Sequence, residues 1–525
     1  MVRSMQVLHS LNCLSVFIWI DSFYASGHLQ KIFAAIGLKG LFMEYSNLNF
    51  IAGKWSAGTS EIENRNPSDL SDLIGMFAQA SSDQLDATLH QARIAQTEWA
   101  AYGIERKYNV LMAIGTEMMA RAEELGTLLS REEGKPLAEG KGEVYRAGQF
   151  FTYYAAETLR QMGEKADSVR EGIEIDVRRE AVGVVAIISP WNFPTATASW
   201  KIAPALAYGN AVVWKPANVT PASAVALVDI IARQDIPKGL ISLTMGAGQS
   251  IGQKLVESPK VDAISFTGSV EVGKGIASAA VQNLTRVQME MGSKNALAVM
   301  DDADISLAVS LALGGAFGGS GQKCTASSRL IVHQEVHDEF VEKLVTGAKT
   351  MKVGHALGAG TQIGPVVSEQ QLSENMAYVD LAAKEGAELL CGGVRLEMAT
   401  DGYYMSPGVF VATNNDMRIN REEMFAPLAC VIPVSGYEEA LHVVNDTNFG
   451  LTSGIVTTNL ARATHFRRNA KTGCVMVNLP TAGTDYHVPF GGRGDSSYGP
   501  REQGTYAAEF YTAVKTSYIS SGQPS

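Results

Sequence analysis

Cysteine is scarce in this chain. Cys13, Cys324, Cys391, Cys430 and Cys474 are scattered over 525 positions, with no CxxC pair. An odd, dispersed set excludes a disulfide framework and the usual zinc spacings, and it points to a reducing compartment, the cytoplasm. HExxH is also absent, so no metal centre is expected. Basic residues are in deficit: 43 Lys+Arg stand against 54 Asp+Glu, a net charge of −11. That balance argues against a nucleic-acid partner, while a small anion needs only one local positive site. Repeats, low-complexity tracts and charge blocks are missing. So is a bilayer-spanning run. The apolar stretch Leu11–Ile20 is too short and ends at Asp21, so no membrane partner is expected. Arg3 before it and Ala25-Ser26-Gly27 after it also suit a signal peptide, and a second apolar segment covers Ile32–Phe42. We read residues 1–45 as an extension, with the folded domain starting near Met43.

What is present is globular: 46% hydrophobic and 18% charged residues suffice for a sizeable core. The length suggests roughly three domains, or two large ones with insertions. Phe50–Trp55 reads as a short strand with a Gly turn, and Asn66-Pro67-Ser68 as a loop. Helical spacing fills Ser82–Glu133, with Ser82 or Asp83 as N-cap, and continues over Ala138–Met162. Ile173–Glu180 alternates like a half-exposed strand, whereas the continuous run ending Val184–Ile188 reads as a strand buried on both faces. Strand then alternates with helix. Ala211–Trp214, Ile241–Leu243 and Ala263–Phe266 are strands; Ala196–Ala207 and Ala222–Arg233 are helices. Such alternation implies a doubly wound parallel sheet. A second α/β series runs from Ala296 to about Val477, and Glu509–Ile519 reads as a strand. Gly246–Gly252 is GxGxxxG, which fails the strict dinucleotide fingerprint and suits an ordinary strand-to-helix turn equally well.

One stretch carries more specific chemistry, Gly318-Gly319-Ser320-Gly321-Gln322-Lys323-Cys324. Glycines admit close approach of backbone N–H groups. Nearby donors and the adjacent Lys323 are expected to favour the thiolate, which is the nucleophilic form. A buried structural cysteine is the competing reading.

Other local patterns line up with it along the chain. They are Ser189-Pro190-Trp191-Asn192-Phe193-Pro194, Trp214-Lys215-Pro216-Ala217-Asn218, Phe266-Thr267-Gly268-Ser269 with Gly273, and Met289-Glu290-Met291-Gly292-Ser293-Lys294-Asn295. After Cys324 come Glu422-Glu423-Met424-Phe425-Ala426-Pro427 and Pro489-Phe490-Gly491-Gly492. This ordered set resembles the aldehyde dehydrogenase superfamily from about Asn49 onward. The endings Asn478–Gly483, His487–Arg493 and Ser496–Gly504, with Cys324–Arg329, resemble the branch that oxidises 2-oxoglutarate semialdehyde (2,5-dioxopentanoate).

The resemblance implies roles. Cys324 matches the nucleophile that forms a thiohemiacetal and then a thioester. Asn192 matches the side chain that joins the Cys324 N–H in holding the oxyanion, a type of contact worth about 3–4 kcal/mol in a transition state. Glu290 matches the general base that activates water for release of the acid. Lys215 matches the residue on the adenosine ribose, Ser269 a pyrophosphate contact, Glu423 the carboxylate on the nicotinamide ribose, and Phe425 the ring beside it. Trp191 is expected to line the cofactor cleft. Asn218 stands where NAD-specific relatives often carry a Glu that repels a 2′-phosphate, so use of both NAD and NADP is implied.

The expected substrate is an aldehyde bearing a carboxylate, with Arg160 as its anchor by analogy with succinic semialdehyde enzymes. A second arginine of those enzymes is Gly318 here, which argues against succinic semialdehyde as the sole best substrate. A broad-range aldehyde dehydrogenase is the alternative. Departures from the family pattern are Ser293, Ala426 and Gly494-Asp495; the last adds a negative charge expected to affect subunit packing or substrate preference. The resulting layout has a Rossmann-type NAD(P) domain over 46–157 and 181–291, an α/β catalytic domain over 292–491, and a small β oligomerisation arm and tail over 158–180 and 492–525. A homodimer or homotetramer is expected from its exposed strands.

Overall fold

The computed structural model describes residues 47–522. The readings for the apolar segments near the start, and for a domain beginning near Met43, lie outside the described residues.

Two mixed, mostly parallel sheets organise the chain. The first has eight strands. Its parallel centre runs Arg286–Met291, Ala263–Gly268, Val184–Ile188, Ala211–Lys215, Ile241–Leu243. Continuous apolar runs form these strands because helices cover both faces; Val184–Ile187 and all of Ala211–Lys215 are buried. An antiparallel hairpin, Leu48–Ile51 with Lys54–Ala57, closes one edge. Its two-residue turn needs left-handed backbone twice, at Ala52 (φ 51°) and Gly53 (φ 80°), the geometry that matches strand twist in tight hairpins. At the other edge Ser497–Tyr498 pairs antiparallel with Met289–Glu290.

The second sheet has seven strands, in the order Glu388–Cys391, Gly408–Val411, Leu428–Val434, Arg329–His333, Ala296–Val299, Thr452–Val456, Cys474–Val477. Only the first pair is antiparallel. The helices Ile305–Phe317 and His337–Thr350 pack on it around Leu297, Val299, Leu330 and Phe340. A third, antiparallel sheet joins Thr512–Ser520, Ile173–Ala181 and Glu164–Asp167. The expected C-terminal strand thus begins at Thr512; Glu509 lies in a short helix, Ala508–Tyr511.

Three local readings change. The first long helix, Ser82–Ala100, is capped one residue earlier than expected, by Ser81. Its Oγ accepts the Gln84 N–H at 3.1 Å, while Gln84 Oε1 accepts the Ser81 N–H at 3.0 Å. Gly248–Gly252 is a π-helical turn, followed only by the short helix Gln253–Glu257. Around the predicted Asn66–Ser68 loop stands an unpredicted strand pair, Ser60–Asn66 with Asp69–Gln79. The buried positions of Ser60–Asn66 are Asn64 and Asn66 rather than apolar residues. Asn64 Nδ2 donates to Val219 O at 3.0 Å, and Asn66 Nδ2 to Asp72 Oδ2 at 3.1 Å. Polar residues that bury by hydrogen bonding leave no hydrophobic alternation to read.

Candidate active site

Cys324 follows a reversal that few sequences permit. The helix Ile305–Phe317 stops at Gly318, and Gly319, Ser320 and Gly321 then take left-handed backbone (φ 60°, 58° and 68°). A Cβ on Gly321 would collide with the carbonyl of Ala426. Ser320 tolerates the strain because its Oγ is fixed on Gly364 O at 2.8 Å. Beyond the turn, Asn295 Nδ2 donates to Cys324 O (2.7 Å) and Ala326 O (3.0 Å). Its Oδ1 accepts from Thr452 N (3.0 Å) and Ser293 Oγ (2.7 Å). The cysteine is therefore clamped by a carboxamide in the Met289–Asn295 motif, and Ser293, a departure from the family pattern, helps orient it.

Cys324 as a residue is half-buried. Burial pushes its pKa above the ordinary thiol value, and the carboxylates of Glu423 and Glu290 push it further. The expectation that Lys323 favours the thiolate is not met. Lys323 turns to Glu139 at 3.0 Å, and Glu139 also accepts the Gly319 N–H at 3.0 Å. Burial opposes the charge on Glu139, but Lys323 and Lys135 outweigh it and hold the carboxyl below its usual range.

Asn192 lies in the loop after Val184–Ile188 and is 5% exposed. Its Nδ2 donates to Gln322 O at 2.9 Å, which ties it to the cysteine loop. A buried ion pair backs it. Lys135 Nζ donates to Asn192 O at 2.5 Å and pairs with Glu143 at 2.7 Å. Glu143 in turn accepts the Thr195 and Ala196 N–H groups, both at 3.0 Å, at the start of helix Ala196–Ala207. With one Nδ2 hydrogen on Gln322, the other remains available to an oxygen formed beside Cys324.

Glu290 sits in the edge pairing with Ser497, whose Oγ donates to Glu290 Oε2 at 2.5 Å. Burial raises its pKa well above the ordinary carboxyl value, and the charge of Glu502 adds to this; the Ser497 bond and the charges of Lys201 and Arg501 oppose it. Lys201 and Glu502 form a fully buried ion pair behind Glu290, and Lys201 also donates to Ser265 Oγ at 2.8 Å. Sequence reading assigned no role to this pair or to Ser497.

Of the residues expected to hold a nucleotide, Trp191, Lys215, Asn218 and Ser269 stand at or after strand ends of the first sheet, whereas Glu423 and Phe425 come from the loop before Leu428–Val434 of the second. Lys215 ends Ala211–Lys215, is 7% exposed, and has Pro216 O (2.9 Å) as its hydrogen-bond partner. Burial lowers its pKa to about 8. The π-helical turn lies beside it, with a Cβ on Gly252 placed 3.5 Å from Lys215 Cδ. Asn218 has a buried Oδ1 with no hydrogen-bond partner. Ser269 caps helix Val270–Val281, its Oγ accepting from Val272 N at 3.4 Å. Glu423 presses on Gly292, accepts the Ser293 N–H at 2.9 Å, and is pushed up to about 7 by burial. Trp191 and Phe425 meet edge to face, ring centroids 5.4 Å apart. A buried ammonium with no carboxylate partner among the described residues, an orphan carboxamide oxygen and a helix N-terminus capped by a single serine fit a group carrying ribose hydroxyls and a pyrophosphate.

Arg160, the expected substrate anchor, already has a counter-anion. It lies just past the end of helix Leu137–Thr158, its side chain 60% exposed, and is held by the carboxylate of Glu157. Asp495, the unusual acidic residue, pairs with Lys274 at 3.0 Å within the same chain. Among the described residues no cluster of His, Cys, Asp and Glu suits a metal ion, and no helix is long and apolar enough to cross a membrane.

Residues 55–517 match the model of the aldehyde dehydrogenase family. The chain is 38% identical over 476 residues to an alpha-ketoglutaric semialdehyde dehydrogenase of Bacillus subtilis, spanning 90% of this chain and 98% of that protein. It is 38% identical over 477 residues to an alpha-ketoglutarate semialdehyde dehydrogenase of Haloferax volcanii, again 90% and 98%. Among solved structures, a betaine aldehyde dehydrogenase of Staphylococcus aureus in complex with NAD+ superposes with a TM-score of 0.89 at 31% identity. That match covers 92% of this chain and 97% of that one.

Proposed function

Because the chain belongs to the aldehyde dehydrogenase family, we propose that it oxidises 2,5-dioxopentanoate to 2-oxoglutarate with NAD or NADP. The observation that carries the chemistry is the clamped Cys324 thiol, with Asn192 hydrogen-bonded to its loop and the Glu290 charge acting on it. The substrate reading is supported by the likeness to alpha-ketoglutarate semialdehyde dehydrogenases along nearly their full length. The Cys324 thiol gives up its proton to solvent, and Sγ adds to the aldehyde carbon as thiolate. The new oxyanion takes hydrogen bonds from Asn192 Nδ2 and the Cys324 N–H. Bound NAD(P)+ supplies the acceptor for the hydride that leaves this carbon. The resulting thioester is hydrolysed by a water whose proton passes to Glu290, and Cys324 departs with the carboxylate released. Lys215, Ser269 and Glu423 hold the cofactor, beside Trp191 and Phe425.

The layout that goes with this reading assigns 46–157 and 181–291 to the cofactor, 292–491 to the nucleophile, and 158–180 with 492–525 to subunit contact. Val514, Tyr518 and Ile519 expose apolar surface on the outer strand Thr512–Ser520, in support of a homodimer or homotetramer. A cytoplasmic location fits the free thiol.

Initial rates of NAD(P)H formation test the substrate. 2,5-Dioxopentanoate is expected to lead succinic semialdehyde, glutaraldehyde and hexanal in kcat/KM. A lead for hexanal would leave a broad-range aldehyde dehydrogenase instead. Cofactor choice has its own test. Asn218 puts no negative charge beside Lys215, so both cofactors are expected to work. Asn218→Glu is expected to cut kcat/KM for NADP at least about tenfold relative to NAD, the scale of one like-charge contact. A wild-type NADP efficiency below about a thousandth of that with NAD, over about 4 kcal/mol of discrimination, contradicts the reading of Asn218.

A further inference from the structure

We propose that Arg146, rather than Arg160, binds the far carboxylate of the substrate, and that the aromatic face on which it stands is the substrate's passage. The inference rests on the carboxylate-bearing aldehyde proposed above.

The helix Leu137–Thr158 places Arg146, Phe150, Tyr153 and Glu157 at alternating spacings of four and three, on one face. Tyr486 lies across the first part of that face. Its ring centroid is 5.2 Å from Arg146 Cζ, 6.3 Å from the Phe150 ring and 5.9 Å from the Tyr153 ring. Phe150 continues edge-on to Trp200 at 5.9 Å, and Trp200 to Phe490 at 5.9 Å. The chain neighbours of that last pair lie beside Glu290 and the buried ion pair next to it. Lys201, next to Trp200, is the buried partner of Glu502. Gly491, next to Phe490, lies so close to Glu290 that a Cβ there would stand 2.7 Å from Oε1. An aromatic run from Tyr486 to Phe490 therefore leads from Arg146 to the residue beside Glu290.

The two arginines differ in charge balance. Arg160 already has a counter-anion in Glu157. Arg146 is partly buried, stacks on Tyr486, and has no carboxylate partner among the described residues. A guanidinium over a ring face keeps its planar fork of donors free for a carboxylate, which it binds through two parallel hydrogen bonds. The indole N–H of Trp200 is buried without an acceptor and offers a neutral donor to a 2-oxo oxygen. The same unpaired positive charge disfavours a quaternary ammonium aldehyde. This separates the site from the betaine aldehyde dehydrogenase whose fold it shares.

The test is steady-state kinetics of the full chain with saturating cofactor, using 2,5-dioxopentanoate and the uncharged pentanal, on wild type, Arg146→Ala, Arg146→Lys and Arg160→Ala. Arg146→Ala is expected to lose roughly thirtyfold or more in kcat/KM for the semialdehyde, mainly through KM, while pentanal is unchanged or improved. Arg146→Lys recovers part of the loss, and Arg160→Ala changes neither substrate. An equal loss on both aldehydes assigns Arg146 a structural role and overturns the proposal. So does a wild-type preference for the semialdehyde that survives Arg146→Ala; in that case the proposed function stands. A wild type that favours pentanal overturns both.

Discussion

Cys324→Ala is expected to remove aldehyde oxidation by at least about 10⁴-fold, the scale of losing a nucleophile, with the cofactor still bound and the fold intact. The loop's geometry is set by Gly319, Ser320, Gly321 and Asn295, none of which contacts the cysteine through its sulfur. The sulfur itself is in an unhelpful setting. Burial and the carboxylates of Glu423 and Glu290 hold it in the thiol form, and Lys323 is spent on Glu139. Without cofactor, alkylation of Cys324 by iodoacetamide should therefore be slower than for an ordinary thiol at pH 8, and should keep rising with pH beyond the ordinary thiol range. Glu423 carries its negative charge above about pH 7, so Glu423→Gln removes an opposing charge. The alkylation profile is expected to move to lower pH in that variant. Fast alkylation of the wild type at neutral pH would show that the sulfur is a thiolate already and that these carboxylates do not control it.

The contrast between Cys324 and Lys323 shows what a sequence exposes. The parallel strands were legible because Val184–Ile188 and Ala211–Lys215 are buried on both faces and so read as unbroken apolar runs. Cys324 could be singled out by the glycine-rich run before it, and Asn192 and Glu290 by the resemblance of the short motifs around them to the family pattern, and local pattern is what a sequence displays. Pairings between distant segments were not legible. Glu139 takes Lys323 and also accepts the N–H of Gly319, 180 positions away in the same loop, and Glu502 reaches Lys201 across 301. Neither pair leaves a local signal, yet both set the charge around the reactive groups. Arg146 was overlooked for a related reason: its neighbour Tyr486 comes from the far end of the chain, and an arginine on a helix usually reads as a solvated one. The short edge strand Ser497–Tyr498 has too few residues for periodicity, although it delivers the hydroxyl on Glu290.

That hydroxyl tempers the pH dependence of the second large effect. Glu290→Gln should stop turnover after acylation. A first-turnover burst of NAD(P)H equal to the enzyme concentration is expected to survive, while the steady-state rate falls by about 10³-fold, within the usual range for losing a general base. Glu290 acts as a base only when deprotonated, and burial together with Glu502 keeps its proton on to higher pH than an ordinary carboxyl. Where hydrolysis of the thioester limits kcat, the wild-type rate therefore rises with pH through that elevated value, and Glu290→Gln loses the rising limb. The Ser497 hydrogen bond stabilises the ionised form and opposes the elevation. Removing it in Ser497→Ala withdraws that support, so the limb shifts to higher pH while the burst is unchanged. A shift to lower pH would mean that the hydroxyl stabilises the protonated acid instead. Loss of the burst in Glu290→Gln would place the carboxylate in the attack of Cys324 on the aldehyde, ahead of hydrolysis.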